Sequence, residues 1–406
     1  MVKIMSFLKK LEKLDLFHPF ILVFITIIFL LIAIPSWTIM GELVPPYPQL
    51  YIYIAIGLLF FILGVLFVKF SLNKFEFFNK INLTKPNNSN NSNKPNESNN
   101  SNKTNENNNQ FIAKKLSLFD KYSKEELIIV SIVVIGIILQ IINIARLGGI
   151  PLFSSELKAK AATKIWLISY ILFLPSINIL LAKFNRKSHY LLLILGLGLF
   201  ALTGYRTTPI AILLSSFITL YYTREFKLKY QIIFIILIAV LLIVIGFIAV
   251  NAIGTQHWRL NALELVSYRA GFTLKILDRA INRQLITAGA LFYSTLTGFI
   301  FSVDPRVLVG EAVLSYSHST TSTIFGPALL DFGIVGMIIQ MFFIGAFLKL
   351  LHFTQKHKFG IVTGIYGVIL AQTLIWIETG PTDFVVWLFY LVGIIILIKT
   401  LYSIKS

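Results

Sequence analysis

The residues of this chain best suited to chemistry are its arginines. Of nine, Arg259, Arg269, Arg279, Arg283 and Arg306 fall between positions 252 and 331, and Arg146 and Arg206 precede them. A guanidinium fork makes two parallel hydrogen bonds to a phosphate, which a lysine ammonium, a hydrated point charge, cannot reproduce. The grouping therefore suits a phosphorylated ligand. The same stretch closes in SYSHSTTSTIFGPALLDFG, residues 315–333, where His318 stands among Tyr316, Ser319, Thr320 and further hydroxyls, with Asp331 beyond. A histidine with a pKa near 6.5 is a natural general base for a sugar-like hydroxyl. Its plainer alternative is a structural histidine, and Asp331 is read as orienting it, replacing it, or pairing with an arginine. IETGPTD, further on, adds Glu378 and Asp383 as acidic candidates. The chain has no cysteine and no HExxH pair among its six histidines. Thiolate chemistry is thus excluded, and a metal would need carboxylates.

Two shorter motifs join this group. LGGIPLFS, residues 147–154, places Gly148 and Gly149 beside Arg146, a turn whose backbone N–H groups can approach an anion or simply end a helix. TGYRTTP, residues 203–209, holds Tyr205, Arg206 and Thr207 at the start of an apolar run. A helix N-terminus attracts anions, so Arg206 is either part of a binding site or an anchor reaching lipid headgroups. If residues 260–286 are helical, Arg269, Arg279 and Arg283 fall within about 80° of one another at 100° per residue. That face fits phosphate binding, or an interfacial helix lying on lipid.

The elements that must carry these residues are membrane spans. With 56% hydrophobic residues and a mean hydropathy of +0.79, the chain lies outside the range of soluble domains. Ten runs, residues 19–40, 48–70, 127–145, 165–182, 190–201, 209–222, 232–250, 334–351, 361–377 and 384–401, are read as an all-α polytopic bundle of about ten transmembrane helices. Assigning alternate loops to opposite sides puts 25 of the 36 lysines and arginines with both termini, which the positive-inside rule makes cytoplasmic in a multi-pass cell-membrane protein. On that assignment the net charge of +18 reflects topology and lipid, and no nucleic-acid partner is expected. Seven arginines fall outside while 23 of 27 lysines fall inside, a separation that topology alone does not produce.

The expected organisation is two N-terminal spans in 1–71, a cytoplasmic Asn-rich tether in 72–126, spans three to seven in 127–251, an outer catalytic loop region in 252–333, and spans eight to ten in 334–406. The tether lacks apolar residues to bury, so it is expected to be disordered, and its six Asn-x-Ser/Thr triplets follow from composition. Residues 284–303 are uncharged, but five Ser/Thr and two Gly favour a re-entrant segment over a span.

TSTIFGPALLDFGIVG before a late span, TGYRTTP between mid-chain spans and LGGIPLF after an early one resemble the oligosaccharide repeat-unit polymerases, the Wzy-type O-antigen polymerases, including their archaeal branch. The Arg-x10-Gly loop pattern of bacterial members is not kept: nine residues separate Arg279 from Gly289. The resemblance implies a helical membrane glycosyltransferase that moves a glycan from a polyprenyl-diphosphate carrier to an acceptor sugar, with neither metal nor other cofactor. It implies that Arg206, Arg259, Arg269, Arg279 and Arg283 bind the diphosphate and that His318 or Asp331 serves the acceptor hydroxyl. Arg146, Gly148, Gly149, Tyr205, Thr207, Tyr316, Ser319 and Thr320 would line the substrate. The expected partners are the polyprenyl-diphosphate-linked oligosaccharide, the bilayer, and a flippase or chain-length regulator. A ligase-type transferase to another acceptor and a lipid-glycan flippase are the alternatives.

Overall fold

A computed structural model of the chain describes residues 15–83, 123–184, 186–224, six positions between 232 and 244, 260–283, 286–301, 303–314 and 316–405. Every regular element among them is helical. In chain order they are α1 (Ile21–Ala33), α2 (Pro35–Thr38), α3 (Pro48–Leu83), α4 (Lys124–Arg146), a 3-10 turn (Pro151–Phe153), α5 (Ser155–Lys160), α6 (Lys164–Lys183), α7 (Lys187–Ala201), α8 (Thr207–Thr223), α9 (Ala262–Arg283), α10 (Ala290–Phe301), α11 (Pro305–Leu314), α12 (Gly326–His357), α13 (Ile361–Thr379) and α14 (Phe384–Lys405).

Among the described residues six apolar helices are long enough to cross a membrane, the first formed by α1 and α2 together, and four shorter ones accompany them. Nine of the ten expected spans coincide with described helices. Of the other, 232–250, only isolated positions are described, and Arg259, His257 and most of the Asn-rich tether also lie outside the described residues. α10 has 12 residues, about 18 Å at 1.5 Å per residue, well short of a 30 Å hydrocarbon core.

Local chemistry sets the helix ends. Ser123 caps α4 by accepting from Glu126 N at 3.1 Å, with Glu125 and Glu126 in the first turn facing the positive end of the helix dipole. Thr163 caps α6 the same way through Trp166 N, also at 3.1 Å. α12 keeps Pro327 in its first turn, where a missing N–H is harmless, and breaks instead at Gly333 (φ 66°, ψ −161°). The Gly-Pro step thus starts the helix rather than ending one.

The bundle closes through small residues. α3 and α12 pack along their lengths, and a Cβ on Gly64 would lie 2.1 Å from Phe342 O, while one on Gly345 would lie 2.2 Å from Phe61 O. Only glycine lets the two backbones approach so closely. α13, the most buried of the long helices, packs against α6, α8, α12 and α14. At its contact with α6 and α8, Asn178 Nδ2 donates to Ser215 Oγ at 3.0 Å and Thr219 Oγ1 donates to Asn178 Oδ1 at 2.8 Å. At one end, Asp15 accepts from Tyr222 OH at 2.6 Å and meets His352 Nε2 at 2.8 Å and Lys356 Nζ at 2.6 Å, tying the chain before α1 to α8 and α12.

Candidate functional site

At the end of the bundle carrying Arg206, the two glycine-bearing motifs pack on each other. Leu152 N donates to Leu202 O at 2.9 Å. Gly204, at φ 74°, comes so close to the 3-10 turn that a Cβ there would lie 3.3 Å from Leu152 Cα and 3.4 Å from Lys158 Cδ. Next to it, Tyr205 OH donates to Lys158 O at 2.9 Å. α5 is thereby held alongside Arg206, the residue from which α8 starts.

Cations gather here. Burial, Arg206 and Arg269 pull the Lys158 ammonium below its ordinary pKa. Burial and Arg269 likewise lower the half-buried Arg206, with Glu378 acting against them. Arg269, on α9, directs Nε to Glu378 Oε1 at 3.0 Å, and Glu378 belongs to the last turn of α13. Arg206 forms no side-chain hydrogen bond or ion pair among the described residues. A half-buried guanidinium at a helix N-terminus, without a carboxylate on its fork, is suited to an incoming anion.

A second group adjoins it. Arg306 Nε lies 3.1 Å from Asp304 Oδ1, and Ser319 Oγ donates to Asp304 Oδ2 at 3.0 Å. Thr320 N donates to Arg306 O at 3.0 Å, and Thr321 Oγ1 lies 3.4 Å from Thr273 Oγ1, one turn of α9 beyond Arg269. The loop after α11 thus bridges α9 and α11. His318 is exposed on it, 6.2 Å from the Tyr316 ring, and its backbone packs on Gly310. Asp383, between α13 and α14, is pushed above the ordinary carboxylate pKa by burial while Arg306 pulls it down. The charges of Arg306 and Asp304 also reach Tyr205, which links the two groups.

Other candidates lie elsewhere. Arg279 and Arg283 are on α9, as the wheel reading required, and exposed. They stand ten and fourteen residues beyond Arg269, about 15 and 21 Å along the axis, so one diphosphate cannot meet all three. α9 packs on α1, α2, α3, α11 and α12. Arg146 is exposed at the end of α4, beside Gly148 (φ 73°) and Gly149. Thr207 is the exposed first residue of α8.

Asp331 is buried and occupied. Its carboxylate accepts from Leu291 N at 3.0 Å, Phe292 N at 2.7 Å and Thr287 Oγ1 at 2.5 Å, capping α10. Among the described residues no three His, Asp or Glu side chains gather as metal ligands would.

Sequence reasoning left Lys158 and Arg306 out of the candidate site. Lys158 sits in an alanine-rich run with no motif around it, and only its assignment to the same side as Arg206 pointed to it. Arg306 was noted for its type, but nothing in the sequence pairs it with Asp383, 77 positions later.

A family model described as "Putative O-antigen polymerase" matches residues 15–390. Two proteins of Methanocaldococcus jannaschii, named only as uncharacterized proteins MJ0420 and MJ0419, are each 28% identical over 271 residues, 66% of this chain. The alignments cover 64% of the first relative and 75% of the second, so the chain spans just under two thirds of the first. No solved structure matches the chain significantly.

Proposed function

The chain belongs to the O-antigen polymerase family, and on that basis we propose that it transfers an oligosaccharide repeat unit from a polyprenyl-diphosphate carrier onto an acceptor glycan at the outer face of the cell membrane, with both termini cytoplasmic. The observation that carries this reading is Arg206, half-buried, without an ion-pair partner among the described residues, and grouped with Lys158 and Arg269 where α8 begins.

In the proposed reaction an acceptor hydroxyl attacks the anomeric carbon of the donor, the C–O bond to the diphosphate breaks, and the polyprenyl diphosphate leaves with the bonding electrons. Charge grows on the leaving phosphate, so a preplaced guanidinium stabilises the transition state more than the ground state, by about 3–4 kcal/mol for one well-aimed donor. Arg206 and Arg269 take that role, with Lys158 adding positive potential. Glu378 holds one edge of Arg269 and leaves the other for phosphate. The hydroxyl proton goes to His318 or Asp383, the two bases on the loops framing the cations. Asp331 supports the site by fixing α10.

The test uses purified protein in lipid vesicles with a lipid-linked repeat unit, scored by chain elongation. Arg206→Lys and Arg269→Lys keep the charge but lose one of two parallel hydrogen bonds. With charge-assisted bonds contributing about 1.5–3 kcal/mol each, turnover drops at least about tenfold at unchanged abundance. If both variants polymerise like wild type, the arginines are membrane anchors and the diphosphate clamp is wrong.

A further inference from the structure

A groove of about 950 Å³ runs between α10, α12 and α14. Its walls include Phe332, Ile339 and Phe343 of α12, Trp387 and Leu391 of α14, and Phe292 of α10. Phe343 is 64% and Leu391 52% exposed, so the groove opens sideways where a bilayer would lie. Its few polar side chains are engaged. Gln340 Nε2 donates to Ile324 O at 2.8 Å, and the Asp331 carboxylate caps α10.

Three features identify an occupant. Pro381, in the same short connection as Asp383 and three residues from Glu378, lines the groove, so one end of it lies beside the proposed diphosphate site. Lining residues run from Phe384 to Ile394 on α14 and from Pro327 to Phe347 on α12; the part of α12 beyond its break at Gly333, Val335 to Phe347, and the α14 stretch each extend about 15–18 Å at 1.5 Å per residue, about half the depth of a 30 Å core. The wall is rich in aromatics, with Phe347, Phe384 and Tyr390 adding to those above. Flat rings accommodate stiff, methyl-branched, unsaturated segments, and these lose less rotational freedom on ordering than saturated acyl chains do.

We propose that this groove seats the first isoprene units of the donor's polyprenyl chain, so that the carrier lipid is recognised by its tail as well as by its diphosphate. The proposal rests on the reading of the chain as a polyprenyl-diphosphate-dependent polymerase. It explains how an amphiphile reaches the cation cluster without leaving the membrane: the chain slides in from the side between α12 and α14 while the head stays at the charged end.

The test is photolabelling with a diazirine-bearing polyprenyl diphosphate in phosphatidylglycerol vesicles, which needs no turnover. Label is expected on peptides from α12 and α14. Unlabelled polyprenyl diphosphate should displace it, whereas geranyl diphosphate, too short to fill the groove, should compete poorly. Ile339→Trp and Leu391→Trp, both at membrane-facing positions, fill the groove and are expected to reduce labelling at least about tenfold with thermal stability unchanged; Val335→Trp serves if either fails to insert. Label confined to helices other than α10, α12 and α14, or displacement of the probe by a further excess of phosphatidylglycerol, overturns the proposal. The two readings fail differently. Undiminished elongation by stable groove-filled variants removes the tail site and leaves the polymerase, whereas specific labelling without elongation of any acceptor leaves the tail site and removes the polymerase.

Discussion

Replacing Asp331 separates a supporting role from a chemical one. Its side chain, 2% exposed, accepts from two backbone N–H groups and one hydroxyl at the start of α10. In Asp331→Ala all three donors lose their acceptor where water cannot replace it. Hydrogen bonds to a charged group contribute about 1.5–3 kcal/mol each and a helix cap about 0.5–2 kcal/mol; since these overlap, the expected loss is about 3–5 kcal/mol. Asp331→Asn keeps one acceptor oxygen but sets an amide N–H against a backbone N–H, for an expected loss of about 2 kcal/mol. Thermal unfolding of the purified variants in vesicles measures both. Turnover per folded molecule should stay within about twofold of wild type for Asp331→Asn, because the carboxylate meets no substrate. An Asp331→Asn protein as stable as wild type but more than about a hundredfold slower would refute the capping argument and make Asp331 a catalytic group.

The two candidate bases predict different pH behaviour. If Asp383 takes the proton, turnover rises as pH climbs through its raised pKa and Asp383→Asn abolishes it; if His318 does, Asp383→Asn keeps its turnover and its pH profile while His318→Ala loses both. Stability runs the other way: a carboxyl whose folded pKa is raised supports the fold while protonated, and that support is lost as pH rises through the folded value, so stability of Asp383→Asn should be less pH-dependent. Gly64→Leu should destabilise the bundle by at least about 2 kcal/mol, because its Cβ alone meets Phe342 O, and circular dichroism of the melt in detergent reads the change. Cysteines introduced at Ser98 and Ser317 should differ in reaction with a membrane-impermeant reagent on intact cells: modification of Ser317 alone fits the expected topology, and modification at Ser98 reverses it.

The membrane fold was legible because crossing hydrocarbon demands uninterrupted apolar runs, and these survive in the sequence whatever their neighbours. Residues 284–303 show the limit of that signal. They are uncharged throughout, yet their helix starts only at Ala290, where Asp331, forty positions beyond Leu291, supplies the cap. The arginines of α9 show another limit. Helical periodicity placed Arg269, Arg279 and Arg283 correctly in angle, but angle says nothing of distance along the axis, and that distance separates them. Asp331 looked catalytic because an aspartate beside a hydroxyl-rich loop before a span carries no mark of whether its oxygens face ligand or backbone. Lys158 joins Arg206 only because Gly204 lets two loops touch, a contact with no local signature.

The charged cluster draws on parts of the chain made at very different times. Lys158 precedes Asp383 by 225 positions. At about 5–20 residues per second, ribosomal synthesis leaves roughly 10–45 s between them. During that interval Arg269 and Arg206 are made before Glu378, which later pairs with the first and whose charge reaches the second, and Arg306 before Asp383. The nascent protein therefore presents an uncompensated basic patch to anionic headgroups until α13 and α14 insert. A chain stopped before Glu378 keeps that patch and never acquires a finished site, however well its earlier helices have inserted.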